Sequence, residues 1–115
     1  MEKIFPTLTQ AQISRIAAYG RTHSVQPGDI LIEQGDTSMP FFVIIRGEVE
    51  IVRPFGANET LITVHSNGQF TGDVNMLSGR RSLVRARAAN PSEVIELDHK
   101  DLVRLVQNDA ELSDI

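Results

Sequence analysis

Gly72 and Asp73 open a run that closes on the paired cations Arg80 and Arg81, with Val74, Asn75, Met76 and Leu77 between them. A glycine turn leading into a short apolar helical segment gathers free backbone N–H groups in one place. A guanidinium beside them adds a fork of donors. That combination suits a small phosphate-bearing anion better than a catalytic event. The wider segment, from Gln69 to Ser82, has β-like sequence on both sides. Its pocket is therefore expected inside a β-barrel.

Other side chains that could do chemistry do not converge. His23, His65 and His99 have no carboxylate or histidine neighbours at metal-ligand spacing, so they read as surface or strand-face histidines. Ser66, Ser78 and Ser82 lie in no Gly-x-Ser-x-Gly setting, and a nucleophile is unsupported. Glu48 and Glu50 share one strand face, a solubilising pattern rather than an acid–base pair. Cysteine is absent, which excludes disulfides and thiolate chemistry. Neither a catalytic residue nor a metal site is expected.

Composition narrows the classes further. The chain has 115 residues, enough for one domain spanning 1–115 with one modest core. There is no Trp and a single tyrosine, Tyr19, which is poor material for stacking on nucleic acid. A net charge of −4 argues against non-specific nucleic-acid binding and against an anionic membrane surface. No run approaches the ~18 apolar residues of a membrane span, and no signal-like stretch opens the chain. A soluble, intracellular, cytoplasmic domain is the expectation.

The elements that must hold the pocket follow from periodicity. Thr9-x-x-Gln12 has capping-box spacing, Ile13, Ile16 and Ala17 make an apolar stripe, and Gly20 stops it, predicting a helix over 9–19. The period then changes to alternation. Short runs follow at Thr22–Val25, Ile30–Glu33, Phe42–Ile45, Glu48–Arg53, Thr60–His65, Val84–Ala88 and Glu93–Leu97. Turn residues cut them at Pro27-Gly28-Asp29, Gly35-Asp36, Arg46-Gly47, Gly56-Ala57-Asn58, Asn67-Gly68 and Asn90-Pro91. Turn signals roughly every 8–12 residues predict a sandwich or barrel over 21–98. Asp98 then reads as the cap of a helix over 99–107, with Leu102, Val103, Leu105 and Val106 as its stripe.

The order Gly28-Asp29-Ile30, Gly35-Asp36, Phe42-x-Ile44-x-x-Gly47-x-Val49-x-Ile51, then Phe70-x-Gly72-Asp73 resembles the cyclic-nucleotide-binding domain. That is the β-roll module of the catabolite activator protein, protein-kinase regulatory subunits and gated channels. The resemblance covers nearly the whole chain. It implies an all-β fold: a double-stranded β-helix or jelly-roll barrel of about eight strands with short flanking α-helices. More narrowly, the run from Phe70 to Ala88 looks like the version fused ahead of a bacterial thioredoxin-reductase-like flavoprotein. No flavin or NAD(P) site is present in these residues, because no Gly-x-Gly-x-x-Gly follows a strand.

In this family a glycine–acid pair opens a phosphate-binding cassette, which the resemblance places at 70–82. The acid holds the ribose hydroxyl, helix-start N–H groups hold the cyclic phosphate, and an arginine neutralises it. Gly72 matches the glycine, while Asp73 stands where Glu is usual. The N–H groups of Val74, Asn75 and Met76 would face the anion. Counting from Gly72 without a gap puts Ser82 at the arginine position and Leu83 at the small hydroxyl residue that follows it. A loop two residues shorter makes Arg80 the ligand. If Arg81 were the ligand, Leu83, Arg85 and Arg87 would point into the core, and unpaired burial costs several kcal/mol per ion. The other two registers put Val84 and Ala86 inside with either Ala88 or Ser82, and both stay open. In both, Arg85 and Arg87 form a solvated outer face.

The reading that results is a ligand-sensing regulatory module and not an enzyme. It needs no cofactor, and its candidate ligand is cyclic AMP or cyclic GMP. Its partner is a downstream effector domain or protein, reached through a C-terminal lid helix that is largely missing after Val106. The alternative is a degenerate module, no longer binding nucleotide, that serves as a protein-interaction or dimerisation scaffold. A homodimer is left open by both.

Overall fold

The computed structural model describes residues 7–36, 40–71 and 82–113. Helix α1, Gln10–Ala17, starts where the capping box requires: Gln12 N–H donates to Thr9 Oγ1 at 3.2 Å and Thr9 N–H to Gln12 Oε1 at 2.8 Å. It ends two residues before the expected Tyr19. There the N–H groups of Ala18 and Tyr19 turn back to the carbonyls of Arg15 and Ile16, a tightened last turn. Gly20 then lies against Glu96, where a Cβ would sit 2.6 Å from the carbonyl oxygen.

Eight strands follow: β1 (Arg21–Val25), β2 (Ile30–Ile32), β3 (Phe41–Arg46), β4 (Val49–Phe55), β5 (Asn58–His65), β6 (Phe70–Thr71), β7 (Arg85–Ala88) and β8 (Ser92–Leu97). They form two four-stranded sheets, in the orders β1-β8-β3-β6 and β2-β7-β4-β5. Every strand pairing is antiparallel. The fold is mostly β, a jelly-roll-like β-roll with short helices, as the family resemblance implies; the turn spacing by itself predicts a sandwich or barrel. β6, only two residues long, has no counterpart among the expected runs.

Two apolar clusters explain the layering. Between the sheets, Val25, Ile32, Phe42, Ile44, Val49, Ile51, Ala86, Ala88 and Val94 pack as the interior. On the other side of the first sheet, Val43, Ile95 and Leu97 pack against Leu8, Ile13, Ile16, Leu105 and Leu112 from the helical ends. Strand β3 therefore has apolar residues on both faces. That is why its sequence, Phe41-Phe42-Val43-Ile44-Ile45, is continuous rather than alternating.

Gly28, Gly35 and Gly47 all have positive φ, as their turn positions require. Gly47 carries a further constraint, since a Cβ there would lie 2.1 Å from Ser92 Oγ. The β3–β4 turn can be crossed only by a residue that both takes φ +105° and has no side chain.

At the C-terminal side, α2 (His99–Asn108) is capped by Asp98, whose Oδ1 accepts from Asp101 N–H at 2.9 Å. A separate turn of helix, α3 (Ala110–Ser113), begins after Asp109, whose Oδ1 accepts from Leu112 N–H at 3.1 Å.

Candidate functional site

The cassette-like segment joins the two sheets. It leaves β6 at the edge of the first sheet and returns into β7, an inner strand of the second. Gly72, Asp73, Val74, Asn75, Met76, Arg80 and Arg81 lie outside the described residues, as does the short helical segment expected among them. The two ends of the segment are on view.

On the entry side, Phe70 pairs with Val43 and Thr71 with Phe42. Phe70 faces the helices and packs on Phe41 with ring centroids 5.3 Å apart. Thr71, opposite the interior residue Phe42, faces the space between the sheets and is 4% exposed.

On the exit side, Ser82 is stitched to the turn after β2. Its N–H donates to the Asp36 carbonyl at 2.8 Å, and its own carbonyl accepts from Gly35 N–H at 2.8 Å. Gly35 and Asp36, read above as turn residues, are thus the frame of the cassette exit. Ser82 is buried, and its hydroxyl donates to the Val84 carbonyl at 2.8 Å. Leu83 points the other way and is 64% exposed, so it does not fill the interior.

Parity along β7 follows from this. Ser82, Ala86 and Ala88 are buried, Val84 packs against the interior cluster, and Arg85 and Arg87 turn outward. A register with Arg85 and Arg87 in the core does not occur. The registers that place Ser82 or Arg80 at the arginine position share the observed parity.

The outward arginines are not simply solvated. Arg85 Nε lies 2.9 Å from Glu33 Oε1 and its Nη1 lies 3.0 Å from Glu59 Oε2. Arg87 grips both oxygens of Glu59, at 3.0 and 2.9 Å, and reaches Glu50 Oε1 at 3.3 Å. Hydrogen bonds from Arg87 hold the Glu59 carboxyl below its ordinary range, and those from Arg85 do the same for Glu33. Both guanidinium groups are therefore committed to carboxylates on the outer face, away from the interior. Glu50, expected to be merely solubilising, is one of those partners.

The histidines divide. His23 Nε2 lies 2.9 Å from Glu96 Oε1 on the face of β1, while His99 is exposed at the start of α2. His65, expected on a strand face or surface, is buried at the end of β5 opposite Val49, and burial lowers its pKa. Among the described residues no group of three His, Cys, Asp or Glu side chains could hold a metal ion. Among the same residues no helix is long and apolar enough to cross a membrane.

Near the C-terminal side, Arg15 of α1 binds Asp109 at 2.8 Å and also Glu111, tying α3 to the N-terminal helix. Leu112 is buried beneath that clasp with Leu8, Ile13 and Ile16. Arg15 holds both carboxyls below their ordinary range.

Sequence reasoning passed over two of these features. Thr71 could have been suspected as the polar residue between Phe70 and Gly72, but a two-residue strand leaves no period from which to read its direction. Asp109, a residue type that favours the N-cap position, was the available signal for α3.

Comparison with known proteins agrees with this architecture. The family model described as the cyclic nucleotide-binding domain matches residues 22–109. A Mycobacterium tuberculosis protein, Rv0104, is 31% identical over 108 residues, covering 94% of this chain and 20% of the relative. A solved structure from a cyclic-GMP-dependent signalling pathway that regulates bacterial phytopathogenesis superposes with a TM-score of 0.78 at 25% identity. That match covers 94% of this chain and 86% of the other. The Thermus thermophilus catabolite activator protein shares the fold at a TM-score of 0.74 and 20% identity, covering 87% of this chain and 47% of the other. The chain spans about a fifth or less of the length of the curated relatives it matches. The names of these proteins carry no mention of a thioredoxin-reductase-like flavoprotein. The family match over residues 22–109, the two-sheet roll and a cassette segment strung between the sheets lead to one assignment: this chain belongs to the cyclic nucleotide-binding domain family.

Proposed function

We propose that the chain is a regulatory sensor that binds a cyclic nucleotide, cyclic AMP or cyclic GMP, in the segment from Gly72 to Ser82. The observation that carries this reading is the framing of the segment. Thr71 enters it from the interior side of one sheet, Ser82 leaves it on the interior side of the other, and Leu83 is kept out. Backbone N–H groups at Val74, Asn75 and Met76 would hold the phosphate, with Asp73 on the ribose hydroxyl. Because Arg85 and Arg87 are occupied by Glu33, Glu50 and Glu59, the neutralising guanidinium falls to Arg80, with Arg81 beside it. No catalytic step is assigned to the domain.

Binding would act by shifting a population, moving the α2–α3 end that Arg15 now clasps. The effector is a fused domain or a partner protein, of which a thioredoxin-reductase-like flavoprotein is one form, in a cytoplasmic setting. A ligand stabilises the fold by about 2.7 kcal/mol at a hundredfold excess over Kd. A thermal-shift panel of cyclic AMP, cyclic GMP and cyclic dinucleotides therefore tests the reading. A clear upward shift with a cyclic mononucleotide, abolished by Arg80→Ala, is the expected result. No shift at millimolar ligand overturns it.

One observation favours a second reading. Ser82 is buried, and its hydroxyl is already bonded to the Val84 carbonyl. If Ser82 and not Arg80 holds the arginine position, the pocket lacks its charge-assisted bonds, worth ~1.5–3 kcal/mol each. The domain would then be a dimerisation or protein-docking scaffold. A flat thermal-shift panel together with a dimer in sedimentation would decide for it.

A further inference from the structure

Three hydroxyl side chains are buried among the described residues, those of Thr71, Ser82 and Ser92. Two are bonded. Ser82 Oγ donates to the Val84 carbonyl at 2.8 Å, and Ser92 Oγ to the Asn90 carbonyl at 2.8 Å. Thr71 Oγ1 has no hydrogen-bond partner among the described residues. Its position makes that unusual. Thr71 is paired with Phe42, and Phe42 belongs to the apolar interior with Ile44, Val49, Ile51 and Ala86. Valine has the same shape as threonine and would satisfy this surrounding without a stranded polar atom. An unbonded buried hydroxyl is a net cost to the fold, which a bonding partner from outside the chain would relieve.

We propose that the Thr71 hydroxyl is a ligand-recognition group that bonds to the sugar–phosphate part of the bound cyclic nucleotide. This inference rests on the function proposed above. Thr71 directly precedes Gly72, and successive Cα atoms lie about 3.8 Å apart. The hydroxyl therefore lies one residue from the glycine–acid pair assigned to ribose and phosphate, on the interior side of its strand. A threonine hydroxyl both donates and accepts, so it can serve a phosphate oxygen or a ribose hydroxyl. Thr71 would add to the cassette a recognition residue that lies on a strand and is fixed before the ligand arrives.

The test uses the 115-residue chain, with Thr71→Val and Thr71→Ser, in isothermal titration against cyclic AMP and cyclic GMP. Melting of the ligand-free proteins is followed in parallel. Thr71→Val is expected to weaken both nucleotides by about tenfold, the equivalent of ~1.4 kcal/mol, while its ligand-free melting temperature stays level or rises. Thr71→Ser should stay within about threefold of the parent, because it keeps the hydroxyl. Unchanged affinity in Thr71→Val overturns the inference and leaves the sensor reading standing. So does a fall in ligand-free melting temperature, which would mean that the hydroxyl is bonded within the fold. A loss confined to one purine overturns the sugar–phosphate assignment. If the parent chain binds neither nucleotide, the sensor reading fails and this inference with it.

Discussion

The two sheets share one interior, but their outer faces meet opposite surroundings. On β3 and β8 the outward side chains Val43, Ile95 and Leu97 are fully buried beneath Ile13, Ile16, Leu105 and Leu112 of the helical ends. On β4, β5 and β7 the outward side chains include Glu50, Glu59, Arg85 and Arg87, which pair with one another under water. One face is held by apolar burial, the other by charges that solvent screens. The sheet under the helices has no free side on which to absorb a change. Movement of the terminal helices must be felt through it, whereas the second sheet can serve as a fixed wall. The cassette segment runs from the first kind of sheet to the second, so an event there is well placed to move one against the other.

The largest expected effect tests the covered face. Ile95→Ala removes a side chain with no exposed surface from beneath the helices. Urea denaturation should show a loss of about 2–5 kcal/mol. Leu83→Ala, at a residue 64% exposed beside the second sheet, should change stability by less than about 0.5 kcal/mol. Similar losses at the two sites would erase the contrast between the faces.

How far this contrast could be read in advance depends on the element. The helix caps at Thr9 and Asp98 were legible, because the spacing of their polar partners is fixed by the first turn of a helix. The outward turn of Arg85 and Arg87 was legible from their alternation with Ala86 and Ala88. The carboxylates that meet them were not, since Glu33, Glu50 and Glu59 come from β4, β5 and the turn after β2, brought together only by strand pairing. β6 was invisible because two residues cannot show a period. The burial of His65 was hidden too, as only its pairing with Val49 shows that it faces inward. At the cassette, sequence fixed no unique arginine, because shortening the loop by two residues preserves strand parity and leaves Ser82 and Arg80 equally consistent with β7.

Acid should separate the interior from the outer faces by pH. Burial lowers the pKa of His65 below its ordinary 6.5, so the unfolded chain takes up a proton that the folded chain resists. Its contribution is complete above pH 6.5 and is lost as pH falls through that value toward the depressed folded pKa. Glu33, Glu59 and Glu111 are also shifted downward but for another reason, since arginines hold them ionised below their ordinary 4.5. Their contribution is present above pH 4.5 and is lost as pH falls below it. Two separate declines are expected in stability measured from pH 7 to 3. His65→Gln should flatten the first and leave the second. If it flattens neither, the histidine is not what couples the interior to pH.

Only a modest effect on stability is expected where the charges are most numerous. Arg87→Gln breaks a two-oxygen grip on Glu59 and a contact with Glu50, yet all three side chains are partly exposed. Exposed ion pairs gain little over hydration and are weakened by salt. The loss in urea should be several-fold smaller than that of Ile95→Ala and should shrink further in molar salt. The same variant sharpens the distinction between inner and outer faces, because an arginine held outward by Glu59 cannot also neutralise a phosphate between the sheets. Cyclic-nucleotide affinity in Arg87→Gln should therefore match the parent, while Arg80→Ala lowers it by an order of magnitude or more, the scale of a lost charge-assisted bond. Equal losses in the two variants would mean that the outer network releases Arg87 on binding. The second sheet would then be part of the moving machinery, and the fixed wall would have to be sought elsewhere in the roll.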